Sequence, residues 1–146
     1  MKKIIALMAI VMLAVGAACA RDRVSRNVSD LPAAAQTMLT KYFPKTPVSH
    51  IKIDSEFLRG NDYDVVLVDG TEVDFDSKGN WKEIDCGRNA VPAGLILKPI
   101  SDYVKANFKG QQIVQIQVER THYDVELSSG LDLRFDRSGR FQRIDD

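Results

Sequence analysis

Apolar residues recur at period two in several short runs of the chain. Tyr63, Val65 and Leu67 alternate with other residues, as do Val73 with Phe75 and Leu133 with Phe135. Such alternation places one set of side chains on each face of a β-strand. Asp69-Gly70 and Ser129-Gly130 stand between the first two runs of each set. Asp-Gly is a strong two-residue hairpin signal, because glycine takes a positive φ without strain. Asp76-Ser77-Lys78-Gly79 and Asp136-Arg137-Ser138-Gly139 follow. Asp suits the first position of a type I turn and Gly the left-handed residue that closes it. Upstream, the apolar spacing changes to a helical one. Leu31, Ala35, Met38, Leu39 and Tyr42 form one stripe, and Ile100, Tyr103, Val104 and Phe108 form another. Ser29 and Asp30 are expected to cap the first helix, with Pro32 in its first turn. Pro99 suits the first turn of the second helix, Gly110 its stop, and Pro92 to Leu97 a short extra turn ahead of it.

These elements occur twice. Residues 63–85, YDVVLVDGTEVDFDSKGNWKEID, and 123–145, YDVELSSGLDLRFDRSGRFQRID, are identical at 10 of 23 positions at a fixed offset of 60. The preceding strands, 48–53 and 113–118, match at an offset of 65. The change in offset predicts a longer first hairpin, at about Asp54 to Asp62. The expected fold is α+β, with two tandem modules at 29–86 and 87–146, each a helix on a four-stranded antiparallel meander. Such a sheet is covered by its helix on one face and solvated on the other. A module of this size is marginal alone, so the two are expected to share contacts.

The start of the chain reads differently. Lys2 and Lys3 precede an apolar run from Ile4 to Val15, and Ala18-Cys19-Ala20 offers small residues for cleavage. Residues 1–20 therefore read as a signal peptide, leaving 21–28 as an N-terminal tail and a periplasmic or secreted protein. A second reading lipidates Cys19, although Gly16 stands where lipoprotein signals usually carry an aliphatic residue. After signal removal no segment is long and apolar enough to span a membrane. Of the 20 basic residues two lie in the leader, which leaves 18 against 20 acidic ones and a net charge of −2. That balance argues against a nucleic-acid partner, which needs a basic stripe. The charge is uneven: residues 29–86 carry 11 acidic and 6 basic groups, residues 87–146 carry 8 and 9. Without Cys19, Cys86 has no disulfide partner in the chain, so the fold must rest on its core.

The segments LPAAAQTMLTKYFP, YDVVLVDGTEVDFDSKGNWKEIDC and YDVELSSGLDLRFD resemble the PepSY-like family of Bacteroidetes secreted proteins. The resemblance covers nearly all of the mature chain, and its motifs are architectural. It implies a fold similar to the tandem-module β-lactamase inhibitor proteins. It does not imply an activity, and the inhibitor analogy is one of fold.

Little in the residues points to catalysis. His50 and His122 stand alone, with no spacing that pairs either to a nucleophile, and they read as surface or strand-edge residues. Cys86 reads as a small half-buried residue at a strand end. No enzyme activity and no cofactor are expected. Glu72, Asp74 and Asp76 alternate along one strand, and Asp64 is expected to face the same way. The plain reading is a solvated acidic face, and the alternative is a weak calcium site or a basic partner's footprint. In the second copy Arg134 replaces the middle carboxylate. Trp81 and Ile84 are three apart, so an unbulged strand would put Trp81 on the open face, while a bulge would return it to the core. Phe57 and Leu58 sit at the tip of the long hairpin among Asp54, Glu56, Arg59 and Asp62. They could fold back onto the module or insert into a partner's cleft. The leading expectation is a non-enzymatic protein that binds a protein or peptide of the cell envelope. Its candidate contacts are Phe57, Leu58, Asp64, Glu72, Asp74, Asp76 and Trp81. The alternative is an envelope accessory protein that binds calcium or a small ligand through its acidic first half.

Overall fold

The computed structural model describes residues 22–56 and 60–145. The proposed leader with Cys19, and the hairpin residues Phe57 and Leu58, lie outside the described residues. The rest is α+β: one antiparallel sheet of nine strands with two helices. Strand order in the sheet is the order in the chain, a meander without crossovers.

A short strand β1 (Arg23–Ser25) is followed by helix α1 (Ala33–Tyr42) and strands β2 (Val48–Glu56), β3 (Gly60–Leu67), β4 (Glu72–Phe75) and β5 (Trp81–Asp85). Helix α2 (Lys98–Asn107) then precedes β6 (Ile113–Val118), β7 (His122–Leu127), β8 (Asp132–Asp136) and β9 (Phe141–Asp145). A single 3₁₀ turn at Ala93–Leu95 precedes α2, as the prolines there suggest. The β2–β3 ladder runs out to Glu56 opposite Gly60, whereas β6–β7 closes at Val118 opposite Tyr123. This is the longer first hairpin predicted from the shift in offset.

The helical stripes are buried as their spacing requires. Leu31, Ala35, Met38 and Leu39 enter the core from the first, and Ile100 and Val104 from the second. They meet one face of the sheet, where Ile51, Val65, Val73, Phe75, Ile84, Ile116, Val125, Leu133 and Phe135 are fully or almost fully buried. Removing one such phenylalanine ring typically costs about 3–5 kcal/mol. Tyr103 stacks on Phe141 at 4.6 Å and meets Phe135 edge-on at 5.5 Å, so α2 is fixed to β8 and β9 by three rings.

Four local expectations need correction. Ser29 and Asp30 do not cap α1; they form a separate 3₁₀ turn (Val28–Asp30) capped by Asn27, and Asp30 accepts a hydrogen bond from Ser25 Oγ at 2.6 Å. The tail is not all tail, because Arg23–Ser25 pairs with β2. The Asp69-Gly70 connection is a three-residue loop rather than a two-residue one. Gly70 N donates to Leu67 O at 3.0 Å and Leu67 N to Thr71 O at 2.8 Å, with Gly70 at φ +87°. Finally, the two four-stranded sets are not separate sheets. β5 pairs with β6 through Glu83–Gln117, Ile84–Ile116 and Asp85–Gln115, which makes the sheet continuous.

Candidate protein-binding face

The face of the sheet opposite the helices is polar. Registers across neighbouring strands define one unbroken row: Val24, Lys52, Asp64, Asp74, Glu83, Gln117, Asp124, Arg134 and Arg143. The acidic face read from sequence is thus real for Asp64 and Asp74, and it gains Glu83. Sequence parity misses Glu83 because of an irregularity in the β4–β5 ladder. Asp74 aligns with Glu83 but Phe75 with Trp81, so β5 holds one extra residue, Lys82. A bulge of this kind reverses the side-chain alternation on either side of it. The same bulge answers the question over Trp81. It returns the indole to the helix side, half-buried and packed against the core, as the bulged alternative expected, and the open-face alternative falls.

Asp64, Asp74 and Glu83 are half-buried neighbours, and the field they create is visible in their acidities. Burial, then Asp64 and Glu83, push the Asp74 carboxyl up to about 7. Burial, then Asp54, raises Asp64; burial also raises Glu83, against a hydrogen bond from Gln115 that lowers it. Two lysines border the row: Lys52 Nζ lies 3.0 Å from Asp54, and Lys82 Nζ 2.8 Å from Asp62. Both therefore neutralise carboxylates on the hairpin side first. A shallow depression of about 340 Å³ lies where the two halves meet, lined by Asp74, Lys82, Glu83, Gln117, Val118 and Glu119.

The second half carries the same row with the opposite electrostatics. Arg134 donates to Asp124 from Nε at 2.7 Å and from its terminal nitrogen at 3.0 Å, and reaches Asp145 at 3.2 Å. His122 Nε2 lies 3.2 Å from the same Asp124. The acidic excess of residues 29–86 is in this way concentrated on the open face of β3, β4 and β5.

The calcium triad read from sequence does not assemble. Asp76 lies beyond the end of β4, where its carboxylate accepts from Lys78 N, Asn80 N and Asn80 Nδ2 at 2.9–3.0 Å. Burial opposes ionisation there, but the bonds from Asn80 and Lys78 prevail and hold its pKa below the usual carboxylate range. Glu72 is exposed and belongs to the next row, aligned with Val66 and Asp85. Among the described residues no three His, Cys, Asp or Glu side chains converge as metal ligands. Cys86 is buried, and burial pushes its thiol up to about 11, far from a nucleophilic thiolate at neutral pH. His50 contacts Ser49 Oγ at 3.3 Å.

A family model described as β-lactamase-inhibitor-like, PepSY-like matches residues 61–143. The chain belongs to the PepSY-like family. A Bacteroides vulgatus protein described as periplasmic and of unknown function has a solved structure with 43% identity and a TM-score of 0.82, covering 86% of this chain and 100% of its own. A Bacteroides thetaiotaomicron protein described as calcium-regulated and periplasmic has 33% identity and a TM-score of 0.80, covering 86% and 97%. A second Bacteroides vulgatus protein described as periplasmic has 31% identity and a TM-score of 0.79, with the same coverage. Curated proteins give no match. Like these relatives, this PepSY-like protein is periplasmic, and among its described residues no helix is long and apolar enough to cross a membrane.

Proposed function

We propose that this PepSY-like protein is a non-enzymatic binding protein of the periplasm that holds a protein or peptide against the open face of its sheet. The observation that carries the reading is the row Asp64–Asp74–Glu83, three half-buried carboxylates whose pKa values are all raised, beside a shallow depression. Such a row is costly to the isolated protein. A lysine or arginine of a partner, laid over it, would relieve that repulsion and gain charge-assisted hydrogen bonds. The inhibitor-like description of the family supports a hydrolase as the partner, by analogy of fold. We take the two halves, 29–86 and 87–146, as tandem modules derived from one unit after a signal peptide at 1–20. In this view the first module has kept the acidic contact surface, while Arg134 has closed the equivalent place in the second. Phe57 and Leu58 remain candidate contacts on the grounds of their sequence position alone.

The test is capture of partners from envelope extract by the mature protein, read by mass spectrometry, beside an Asp64→Asn/Asp74→Asn variant. A partner held by the wild type and lost by the variant supports the reading. Capture indifferent to both changes overturns the assignment of the open face.

A second reading is calcium-linked regulation, favoured by the description of the Bacteroides thetaiotaomicron relative. It would require carboxylates of the acidic first half to close around the ion, because no three of them converge as ligands among the described residues. An unchanged melting temperature at millimolar calcium removes it, because an ion that binds only the folded state must raise that temperature.

A further inference from the structure

β5 and β9 hold equivalent places in the internal repeat, and among the described residues only β5 has a strand on its outer side. At the β5–β6 junction Ile84 stands opposite Ile116, and both are fully buried. Polar pairs flank them on the open face, Glu83 with Gln117 and Asp85 with Gln115. Those three pairs form the ladder between the two halves, and Cys86 N extends it by donating to Val114 O at 2.9 Å. Ile144 is aligned with Leu133 as Ile84 is with Val73, so it projects to the helix side. Yet Ile144 is 46% exposed where Ile84 is 0%. The opposite end of the sheet differs: there the edge of β2 is covered by β1 of the same chain. An edge left unpaired among the described residues, with an exposed apolar residue toward its end, is a template for another strand.

We propose that β9 is the contact of a two-fold homodimer, in which the β9 strands of two copies pair antiparallel about Ile144. The register makes the segment its own complement. Ile144 meets Ile144 of the second copy on the helix side, as Ile84 meets Ile116. On the open face, Arg143 of each copy stands opposite Asp145 of the other, so two opposite-charge cross-strand pairs flank the isoleucines. Within one copy Arg143 already contacts Asp145, and Arg134 lies 3.2 Å from Asp145, which fixes that carboxylate on the open face. Such a contact is isologous and closes on itself, so it ends at the dimer. The axis runs through the sheet, so the helices of both copies lie on one side and the two open faces form a single surface.

Sedimentation equilibrium of the mature protein tests this. The expected result is a concentration-dependent dimer. Arg143→Asp sets like charges opposite each other twice and is expected to weaken the dimer by about tenfold. Ile144→Lys is expected to do the same by removing the central apolar pair. Arg143→Asp/Asp145→Arg restores opposite charges across the axis, and Asp at 143 still has Arg134 beside it, so the dimer returns. Thermal melts of each variant confirm folding, and the double variant retains Ile144. A monomer at all concentrations overturns the proposal and leaves the edge to another protein's strand. A dimer indifferent to these changes, or one the double variant does not restore, also overturns it.

Discussion

Arg134 grips Asp124 through two contacts of 2.7 and 3.0 Å, at the position where the first half of the repeat sets Asp74 beside Asp64. Two differences between the copies, Asp74 for Arg134 and Glu83 for Arg143, separate an acidic patch of sheet from a salt-bridged one. The energetics of the two halves should differ accordingly.

Asp74 gives the sheet a pH dependence. Its carboxyl titrates at about 7 in the folded protein against an ordinary 3.8. The folded state thus keeps its proton where the unfolded chain has lost it. Stability is therefore higher below pH 4 on this account, falls as pH rises from about 4 to 7, and stays low above. Asp64 and Glu83, also raised, add to the same trend. Asp74→Asn is expected to flatten it and to gain roughly 1–2 kcal/mol at pH 8, about 4–8 °C in melting temperature. Thermal melts of both proteins at pH 5 and pH 8 decide. Equal pH dependence in the two would show that Asp74 is not the source.

Charge can also be moved from one half to the other. Arg134→Met leaves Asp124 and Asp145 without their shared cation and is expected to cost about 1–2 kcal/mol. The converse, Asp74→Arg, rebuilds in the first half the pair that Arg134 makes in the second, with Glu83 as a further neighbour. It is expected to stabilise by about 1 kcal/mol. Urea midpoints measure both, and a lower midpoint for Asp74→Arg would refute the equivalence of the two sites.

Glycines 70 and 79 separate two kinds of strain. Both have a left-handed φ, +87° and +85°. A Cβ on Gly70 would meet nothing within 4 Å, while one on Gly79 would lie 2.9 Å from Ala35 N and from Pro32 Cβ, at the start of α1. Gly70→Ala is expected to cost about 1 kcal/mol from backbone conformation alone. Gly79→Ala should cost more, roughly 2–3 kcal/mol, since the turn must also move off the helix. Chemical denaturation of the two variants compares them, and an equal loss would rule out the contact as a contributor.

The sequence alone determined the α+β class, the two helical stripes, the positions of eight strands and the longer first hairpin. Each rests on a period or a turn signal repeated at a constant offset, and side chains that follow such a period must fall on one face. Asp64 and Asp74 were legible as neighbours for the same reason. Glu83 was not, because one extra residue in β5 reverses the alternation; the spacing of Trp81 and Ile84 pointed to a bulge as one alternative, and only the register decided it. Asp76 looked like part of the acidic face until the turn claimed its oxygens. β1 carries no apolar alternation in Arg23-Val24-Ser25, and only the free edge of β2 makes it a strand. The joining of β5 to β6 was likewise decided in three dimensions. Backbone groups at a sheet edge pair with whatever strand the chain brings alongside, and that is a matter of proximity rather than of local sequence.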